Sequence, residues 1–399
     1  MAAPDILSPE FAADPYTHYR ILRDEYPVTF HQPTQSYVIS RYADVERAFK
    51  DPVFTSKNYD WQLEPVHGRT ILQMEGREHA THRNIVSPAF RGRDLQEKFM
   101  PAIERSAKSL IDQFRHDGEA DFVAQFARLF PISVIVEMLA LPHEDLEKFN
   151  RWYTSIIAFL SNLTQDPDVT AAGLQTKEEL QAYMLPVIED RRANPGDDLL
   201  STLCTAEIDG HRMTDLEIKA FVSLLLAAGG ETTDKALANL LRNLLLNPEQ
   251  MQLMRQDRSY IERGIAEMLR FSPPVHMIMR TPSEDVALEG GTLEAGKTVT
   301  CLIGAANRDD RVYANPDVFD ITREDLNIKQ AFSGAANHTA FALGRHFCVG
   351  AMLAKSEIEV AMNYLFDVTQ DIQLAEDAPA EVGIFTRAPK SLKIKFTPA

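Results

Sequence analysis

The sequence predicts a mainly α-helical fold with a minor β portion. Apolar residues recur with helical spacing over several stretches, and the longest, from Asp215 to Leu246, has clear start and stop signals. Short runs rich in β-branched residues between turns predict a few strands. Patches rich in Pro and Gly are only turn-sized, and neither a low-complexity linker nor an internal repeat divides the 399 residues. We therefore expect residues 1–399 to form a single domain.

The shorter elements are predicted from the same patterns. Besides the long helix, the spacing predicts helices at 45–49, 95–115, 122–138 and 180–192. Alternation and β-branched residues predict strands at 36–40, 286–288, 298–303 and 392–396. Hydrophobic residues make up 45% of the chain, which is ample for a substantial core.

The long helix has a defined beginning and end. Thr214 stands three residues before Glu217, which is the pattern of a capping box, and Asn247 followed by Pro248 stops the helix. A continuous helix between these signals spans about 50 Å at ~1.5 Å per residue. That length is enough to cross a whole domain.

The middle of this helix breaks the pattern of a packed helix interior. Two glycines, an acid and two hydroxyl residues follow one another from Gly229 to Thr233. Such a break usually marks a site. Ala228 and Gly229 are small enough to admit a planar cofactor or oxygen, and Thr232 can bond the backbone behind it and widen the helix. The structural alternative is a kinked core helix.

The segment from Phe341 to Gly350 carries one cysteine, Cys348, immediately before a predicted helix that opens at Ala351. We expect a strand, a loop, the cysteine and then the helix. Gly344 and Gly350 allow positive φ, and the N-terminal end of the helix favours a thiolate with a lowered pKa. Two alternatives remain at this point. Cys348 is a buried small hydrophobe, or it joins His338 and His346 in a zinc site that needs a distant fourth ligand.

These two segments resemble the cytochrome P450 superfamily. Its haem-binding loop reads Phe-x-x-Gly-x-His-x-Cys-x-Gly, and Phe341, Gly344, His346, Cys348 and Gly350 match it. Its oxygen-activating motif, Ala/Gly-Gly-x-Asp/Glu-Thr, is matched by Ala228, Gly229, Glu231 and Thr232. The resemblance covers nearly the whole chain. Two departures are Ala342, where glycine is common, and Glu231, where aspartate is more common.

The resemblance implies a haem b cofactor with Cys348 as its thiolate ligand. It implies that Thr232 holds oxygen or its water while Glu231 relays protons. His79, Arg83, Arg280 and His346 would hold the haem propionates, and Ala228, Gly229, Phe341 and Gly350 would contact the haem. Glu267 and Arg270, a pair that alone indicates only a surface salt bridge, would form a structural triad with Arg323.

The implied activity is a monooxygenase reaction that inserts one atom of O2 into a hydrophobic organic substrate. The resemblance also implies the substrate-lining positions: Trp61, Leu63, Ile157, Phe159, Leu224, Ala228, Val275, Met277, Ile278, Ile384 and Phe385. Their apolar character favours a bulky hydrophobic molecule. Two alternatives stay open: peroxide-driven oxidation, oxidative coupling or dehydration by the same fold, and a non-catalytic haem carrier or sensor.

Charge and cysteine content limit the partners. The net charge of −17 disfavours nucleic acid and anionic membranes, and neither a signal peptide nor a membrane span is predicted. Three cysteines in this length indicate a reducing compartment, so we expect a cytoplasmic bacterial protein. Electrons would come from ferredoxin and ferredoxin reductase, or from a flavodoxin-type donor. A local group of cations suits such an acidic partner: Arg83, Arg91, Arg93, Arg345 and Lys355.

Overall fold

The computed structural model describes residues 2–162 and 166–399. Helices dominate, and the prediction of a mainly helical fold is confirmed. The α-helices are α1 (Pro9–Ala13), α2 (Pro15–Glu25), α3 (Tyr42–Lys50), α4 (Asn58–Gln62), α5 (Glu64–His67), α6 (Gly76–Val86), α7 (Gly92–Asp94), α8 (Met100–Ile111), α9 (Phe130–Met138), α10 (Leu146–Leu160), α11 (Pro167–Ala193), α12 (Leu199–Thr205), α13 (Asp215–Leu246), α14 (Pro248–Gln256), α15 (Tyr260–Phe271), α16 (Ile303–Ala306) and α17 (Ala351–Val368).

The β portion is small and consists of three sheets. The strands are β1 (Val28–His31), β2 (Ser36–Ile39), β3 (Phe54–Thr55), β4 (Glu119–Asp121), β5 (Met277–Pro282), β6 (Val286–Leu288), β7 (Gly291–Leu293), β8 (Thr298–Leu302), β9 (Thr369–Leu374) and β10 (Lys393–Pro398). The largest sheet has the order β1-β2-β8-β5-β3, in which β2 and β8 are parallel and the other pairs antiparallel. A second sheet has the order β4-β10-β9, and β6 pairs with β7.

The central helix α13 begins and ends where the sequence predicts. The side chain of Thr214 accepts from the Glu217 N–H, and the Glu217 carboxylate accepts from the Thr214 N–H at 2.7 Å, which completes the capping box. Asn247 ends the helix. Most of its residues are buried, because α9, α10, α11, α15 and α17 all pack against it. The core is therefore built around α13.

Two predicted helices are interrupted. Residues 95–115 begin with a π-helical turn at Leu95–Phe99 before α8, and 122–138 contain another at Val123–Ala127 before α9. Pro101 and Pro131 lie in the first turns of α8 and α9. Proline has no N–H to donate, so each favours a new helix start over an uninterrupted helix. The predicted helices 45–49 and 180–192 are parts of α3 and α11.

All four predicted strands form, but the strand expected before Cys348 does not. Between α16 and α17 the chain runs through turns and two short 3-10 turns, Ile328–Gln330 and Gly344–His346. The backbone from 307 to 350 is instead held by local turn bonds and by side chains such as Asn307, whose carboxamide oxygen accepts from the Thr339 N–H at 2.8 Å. In the described part of the chain, no helix is both long and apolar enough to cross a membrane.

Candidate active site

The middle of α13 and the Cys348 loop line one cavity. Ala228, Gly229 and Thr232 line it from α13, and Phe341 and Cys348 line it from the loop. The side chains of α17 beyond the cysteine, of β5, and of the segments before α6 close its sides. The two motifs singled out from the sequence are thus parts of a single site.

Backbone geometry sets the position of Cys348. Its N–H donates to the Phe341 carbonyl at 2.9 Å, which closes the loop into a narrow turn. Gly344 has φ +68, and a Cβ there would lie 2.7 Å from the Phe49 carbonyl oxygen. Ala342 also takes a positive φ, of 53. Gly350 does not: its φ is −85, so the expectation of a positive φ at that residue was wrong.

The electrostatics of the thiol differ from expectation. Burial raises the pKa of Cys348 above its ordinary value, although backbone N–H groups of Gly350 and Ala351 and the Arg83 guanidinium act in the opposite sense. The helix end alone does not make this sulfur anionic. A bound metal cation is what favours the thiolate, because coordination releases the proton.

The structure also decides between the alternatives for this cysteine. Cys204 and Cys301 are buried small residues, whereas Cys348 is partly exposed and lines the cavity. The ligand atoms of His338, His346 and Cys348 do not gather within 4.8 Å of one another. His338 is fully buried, and burial lowers its pKa to about 4. The zinc alternative has no support.

On α13, the hydroxyl of Thr232 donates to the Ala228 carbonyl at 2.7 Å, as expected for a threonine that bonds the preceding turn. The Glu231 carboxylate is buried; it accepts from the Thr386 hydroxyl at 2.7 Å and pairs with Lys235 at 2.9 Å. Gly229 lines the cavity and also allows close packing on its other side. A Cβ on Gly229 would lie 2.9 Å from Ile135 Cδ1, so its small size serves packing against α9.

The four proposed propionate-binding residues all line the cavity. The rings of His79 and His346 lie 4.4 Å apart, and burial lowers the pKa of His79 to about 4. Arg83 donates to the Phe347 carbonyl at 2.6 Å, and Arg280 donates to the Met279 carbonyl at 2.8 Å. Each guanidinium keeps further N–H groups for an anionic ligand.

Glu75 is a neighbour of this group that the sequence did not indicate. Its carboxylate accepts from Arg345 Nε at 2.8 Å and lies 3.4 Å from His346 Nε2. Although burial alone would raise the pKa of Glu75, the contacts with His346 and Arg345 bring it down to about 2. This negative charge fixes His346 and Arg345 in place beside the cavity.

The Glu267, Arg270 and Arg323 side chains form a buried triad away from the cavity. Arg270 bonds Glu267 in bidentate fashion at 2.7 and 2.8 Å, and Arg323 Nε lies 3.0 Å from Glu267 Oε2. Arg270 also donates to the carbonyls of Pro316 and Val318, which belong to the turns leading to the cysteine loop. The triad thereby fixes α15 to that segment.

The predicted substrate residues divide into two groups. Seven line the cavity: Leu63, Ile157, Leu224, Ala228, Val275, Ile278 and Phe385. The other four do not. Trp61 is 61% exposed, and Phe159 packs over Gly173, whose added Cβ would lie 2.6 Å from that ring. Met277 and Ile384 pack in a separate cluster with Phe11.

Known proteins are similar to this chain over nearly its whole length. A family model of cytochrome P450 matches residues 13–395. Pulcherriminic acid synthase of Bacillus subtilis is 42% identical over 394 residues, covering 98% of this chain and 97% of that protein. Cyclomarin C epoxidase CymV of Salinispora arenicola is 32% identical and covers 94% of each chain. The solved structure of cytochrome P450 CYP109Q5 from Chondromyces apiculatus superposes with a TM-score of 0.88 at 31% identity, with both chains fully covered.

The chain belongs to the cytochrome P450 family. It is accordingly a haem-thiolate monooxygenase that acts on an organic substrate with O2 and separate redox partners. The residues of this P450 fit a haem on independent grounds. Cys348 offers a sulfur at one wall of the cavity, and Arg83 and Arg280, which line the same cavity, each have guanidinium N–H groups beyond the one that bonds a backbone carbonyl. The propionates of a haem would accept from these groups.

Several lining residues of the P450 cavity carried no signal in the sequence. These residues stand outside the two motifs, in several segments of the chain: His67, Ile71, Leu72, Phe90, Leu225 and Glu357. Glu357 in α17 is unusual because burial raises its pKa well above the ordinary value, while a hydrogen bond with Thr233 acts in the opposite sense. Only the fold reveals that these residues converge.

Proposed function

We propose that this P450 inserts oxygen into a bulky, largely hydrophobic molecule held between α13 and the Cys348 loop, with haem b as the cofactor. The observation that carries the proposal is that Cys348 and Thr232 line one and the same mainly apolar cavity. When bound, the haem supplies the oxygen chemistry. The protein contributes the sulfur ligand, the propionate contacts and the delivery of protons.

Proton delivery is assigned to the Glu231 and Thr232 pair. The Thr232 hydroxyl lies at the cavity wall and is oriented by the Ala228 carbonyl. The Glu231 carboxylate, held by Thr386 and Lys235, lies on the next position of the helix. To pass a proton on, Glu231 must give up its bond with either Thr386 or Lys235. We expect it to give up the bond with Thr386, because that partner carries no charge.

The ligand assignment is tested by the absorption of the reduced, CO-bound protein. Wild-type protein should show the red-shifted band of a thiolate-ligated haem, and Cys348→Ser should lose it, because a hydroxyl is a poor ligand for this iron. Haem b is checked by extracting the cofactor and comparing its spectrum with that of iron protoporphyrin IX. A band at the position typical of histidine ligation in the wild type would overturn the assignment.

The substrate class is suggested by the lining and by the relatives. Leu63, Ile157, Leu224, Val275 and Phe385 make much of the cavity wall apolar. Because pulcherriminic acid synthase shares 42% identity over nearly the whole chain, an oxidation that yields a pulcherriminic acid type of product is a second, narrower candidate. Ligand-induced shifts of the haem band, measured for a panel of precursors of such products and of unrelated apolar molecules, distinguish the two.

Electrons come, in this proposal, from a ferredoxin with its reductase or from a flavodoxin-type donor in the cytoplasm. Several of the cations predicted to bind the donor are engaged in contacts within the protein. Arg345 pairs with Glu75 and Lys355 with Glu262, at 2.8 and 2.9 Å, and Arg83 points to the Phe347 carbonyl. Arg93 also pairs with a carboxylate, that of Glu97, at 2.7 Å, so exposed Arg91 remains as the docking cation of this group. The three cysteines are free, as suits a reducing compartment.

A further inference from the structure

Two imidazoles and a carboxylate converge at a point outside the active-site cavity. His82 comes from α6, His211 from the turn before α13, and Glu217 from the first turn of α13. Their candidate ligand atoms all lie within 4.8 Å of one another. We call these three residues the His82 cluster. None of them lines the cavity between α13 and the Cys348 loop.

The contact between His82 and Glu217 places two hydrogen-bond acceptors face to face. His82 Nδ1 lies 3.0 Å from the Glu78 carbonyl oxygen, and since a carbonyl only accepts, Nδ1 is the donor. In a neutral ring Nε2 is then an acceptor. It lies 3.1 Å from Glu217 Oε1. Two acceptors at this distance need a proton or a metal cation between them.

Glu217 is held in one orientation by the start of α13. Its other oxygen, Oε2, accepts from the Thr214 N–H and hydroxyl at 2.7 and 2.9 Å. The capping box therefore orients the carboxylate and leaves Oε1 as the atom directed at His82.

His211 decides between a proton and a metal cation. The backbones of Ile208 and His211 bond each other at 3.0 and 2.9 Å, across a tight turn with positive φ at Asp209 and Gly210. This turn holds the imidazole beside His82, with ring centres 4.7 Å apart. His211 Nε2 is buried, has no hydrogen-bond partner in the described residues, and lies 4.0 Å from Glu217 Oε2. A proton between His82 and Glu217 leaves that nitrogen unsatisfied.

We propose that the His82 cluster binds a first-row divalent transition ion, with zinc as the best match to two histidines and one carboxylate. Three protein ligands leave a fourth position for water. In a tetrahedral site with bonds of about 2.0–2.1 Å the ligand atoms lie about 3.3 Å apart. His82 Nε2 and Glu217 Oε1 already have that spacing at 3.1 Å, and His211, whose ligand atom lies within 4.8 Å of both, reaches it by a shift of at most about 1.5 Å. The Glu78 carbonyl on Nδ1 is the outer contact that metal-bound histidines usually have.

The metal would join two helices that carry active-site residues, α6 and α13, to the turn of His211. α6 carries His79 and Arg83 to the cavity, and α13 carries Glu231 and Thr232. A cation shared by His82 and Glu217 fixes the distance between these two helices at their contact. The metal is thus expected to raise the stability of the protein without touching the haem or the substrate.

The test is a titration of the haem-loaded protein with zinc after removal of metals by a chelator. We expect calorimetry to give one zinc per chain, and the metal content after dialysis to agree. His211→Ala and Glu217→Gln should each weaken binding by roughly tenfold or more. The glutamine variant retains a side chain that completes a capping box, so α13 keeps its start. His143→Ala, at an exposed histidine outside the cluster, is the control and should bind like wild type.

Two further measurements distinguish a loss of zinc binding from a loss of folding. Unchanged haem spectra and equal melting temperatures without zinc show that each variant is folded. Added zinc should then raise the melting temperature of wild type and of His143→Ala, but not of His211→Ala. The proposal is overturned if wild type binds no zinc, or if His211→Ala binds it as tightly as wild type does.

Discussion

Thr232 is the residue on which the catalytic proposal depends most directly. Its hydroxyl is oriented by the Ala228 carbonyl at 2.7 Å, and Thr232 lines the same cavity as Cys348. Thr232→Ala removes the hydroxyl while leaving the apolar lining unchanged. We expect product formed per NAD(P)H to fall by roughly tenfold or more, with hydrogen peroxide released instead, because a positioned proton donor is lost.

Thr232→Ser is the matched control, since it restores a hydroxyl at the same position. It should recover a large part of the coupling, and substrate-induced shifts of the haem band should be similar for wild type and both variants. If Thr232→Ala consumes NAD(P)H with the coupling of the wild type, the hydroxyl serves only the helix backbone.

At the residue scale, the sequence predicts best where a local pattern contains the chemistry. Cys348 and Thr232 each stand in a short motif, and both line the cavity. Lining residues assigned by position are less secure. Val275 and Ile278 line the cavity while Met277, one residue before Ile278 in β5, points to another cluster, because successive side chains of a strand face opposite sides. Met277 and Ile278 are neighbours in one strand, so they cannot both line the same wall.

At the scale of elements, start and stop signals gave the correct bounds where they were strong. The capping box at Thr214 and the stop at Asn247 fix α13 at both ends. Where such signals were not considered, as at Pro101 and Pro131, predicted helices were too long. The cysteine loop was predicted as a strand followed by a turn, but its turns are stabilised by side chains from distant segments, which no local pattern reveals.

The loop geometry gives a prediction about Gly344. At φ +68, an added Cβ strains the backbone by about 1–2 kcal/mol and also meets the Phe49 carbonyl at 2.7 Å. Gly344→Ala should therefore displace the loop that carries Cys348. We expect less haem retained after gel filtration and a lower melting temperature.

Gly296→Ala separates the two causes. Gly296 has a positive φ of +75, but a Cβ there would meet no atom within 4 Å. It should therefore show the strain without the clash, with haem retention equal to that of the wild type. Equal haem loss in the two variants would mean that the contact with Phe49 is not what positions the loop.

At the scale of the whole molecule, most of the cavity is assembled from segments far apart in the chain. α5, α6, α13, β5 and α17 all contribute lining residues. Composition and charge indicate the class of protein, but not which apolar residues meet. In a buried helix the residues that line a cavity and the residues that pack in the core are equally apolar, so the sequence pattern does not separate them. The prediction that residues 1–399 form one domain remains a prediction, although the P450 family model spans 13–395.

With a net charge of −17, the protein as a whole repels an acidic electron donor. A donor of this kind therefore needs a local group of cations on the surface. Arg91 is exposed and lies within electrostatic range of Arg83, which in turn acts on Cys348. Arg91→Glu should slow reduction by ferredoxin several-fold at low salt, and the difference should shrink as salt screens the charges.

Arg151→Glu, in α10, is a control at another exposed arginine. Reduction by dithionite and substrate binding should be unchanged in both variants. Equal ferredoxin rates for Arg91→Glu and Arg151→Glu would place the donor on a different face of the protein.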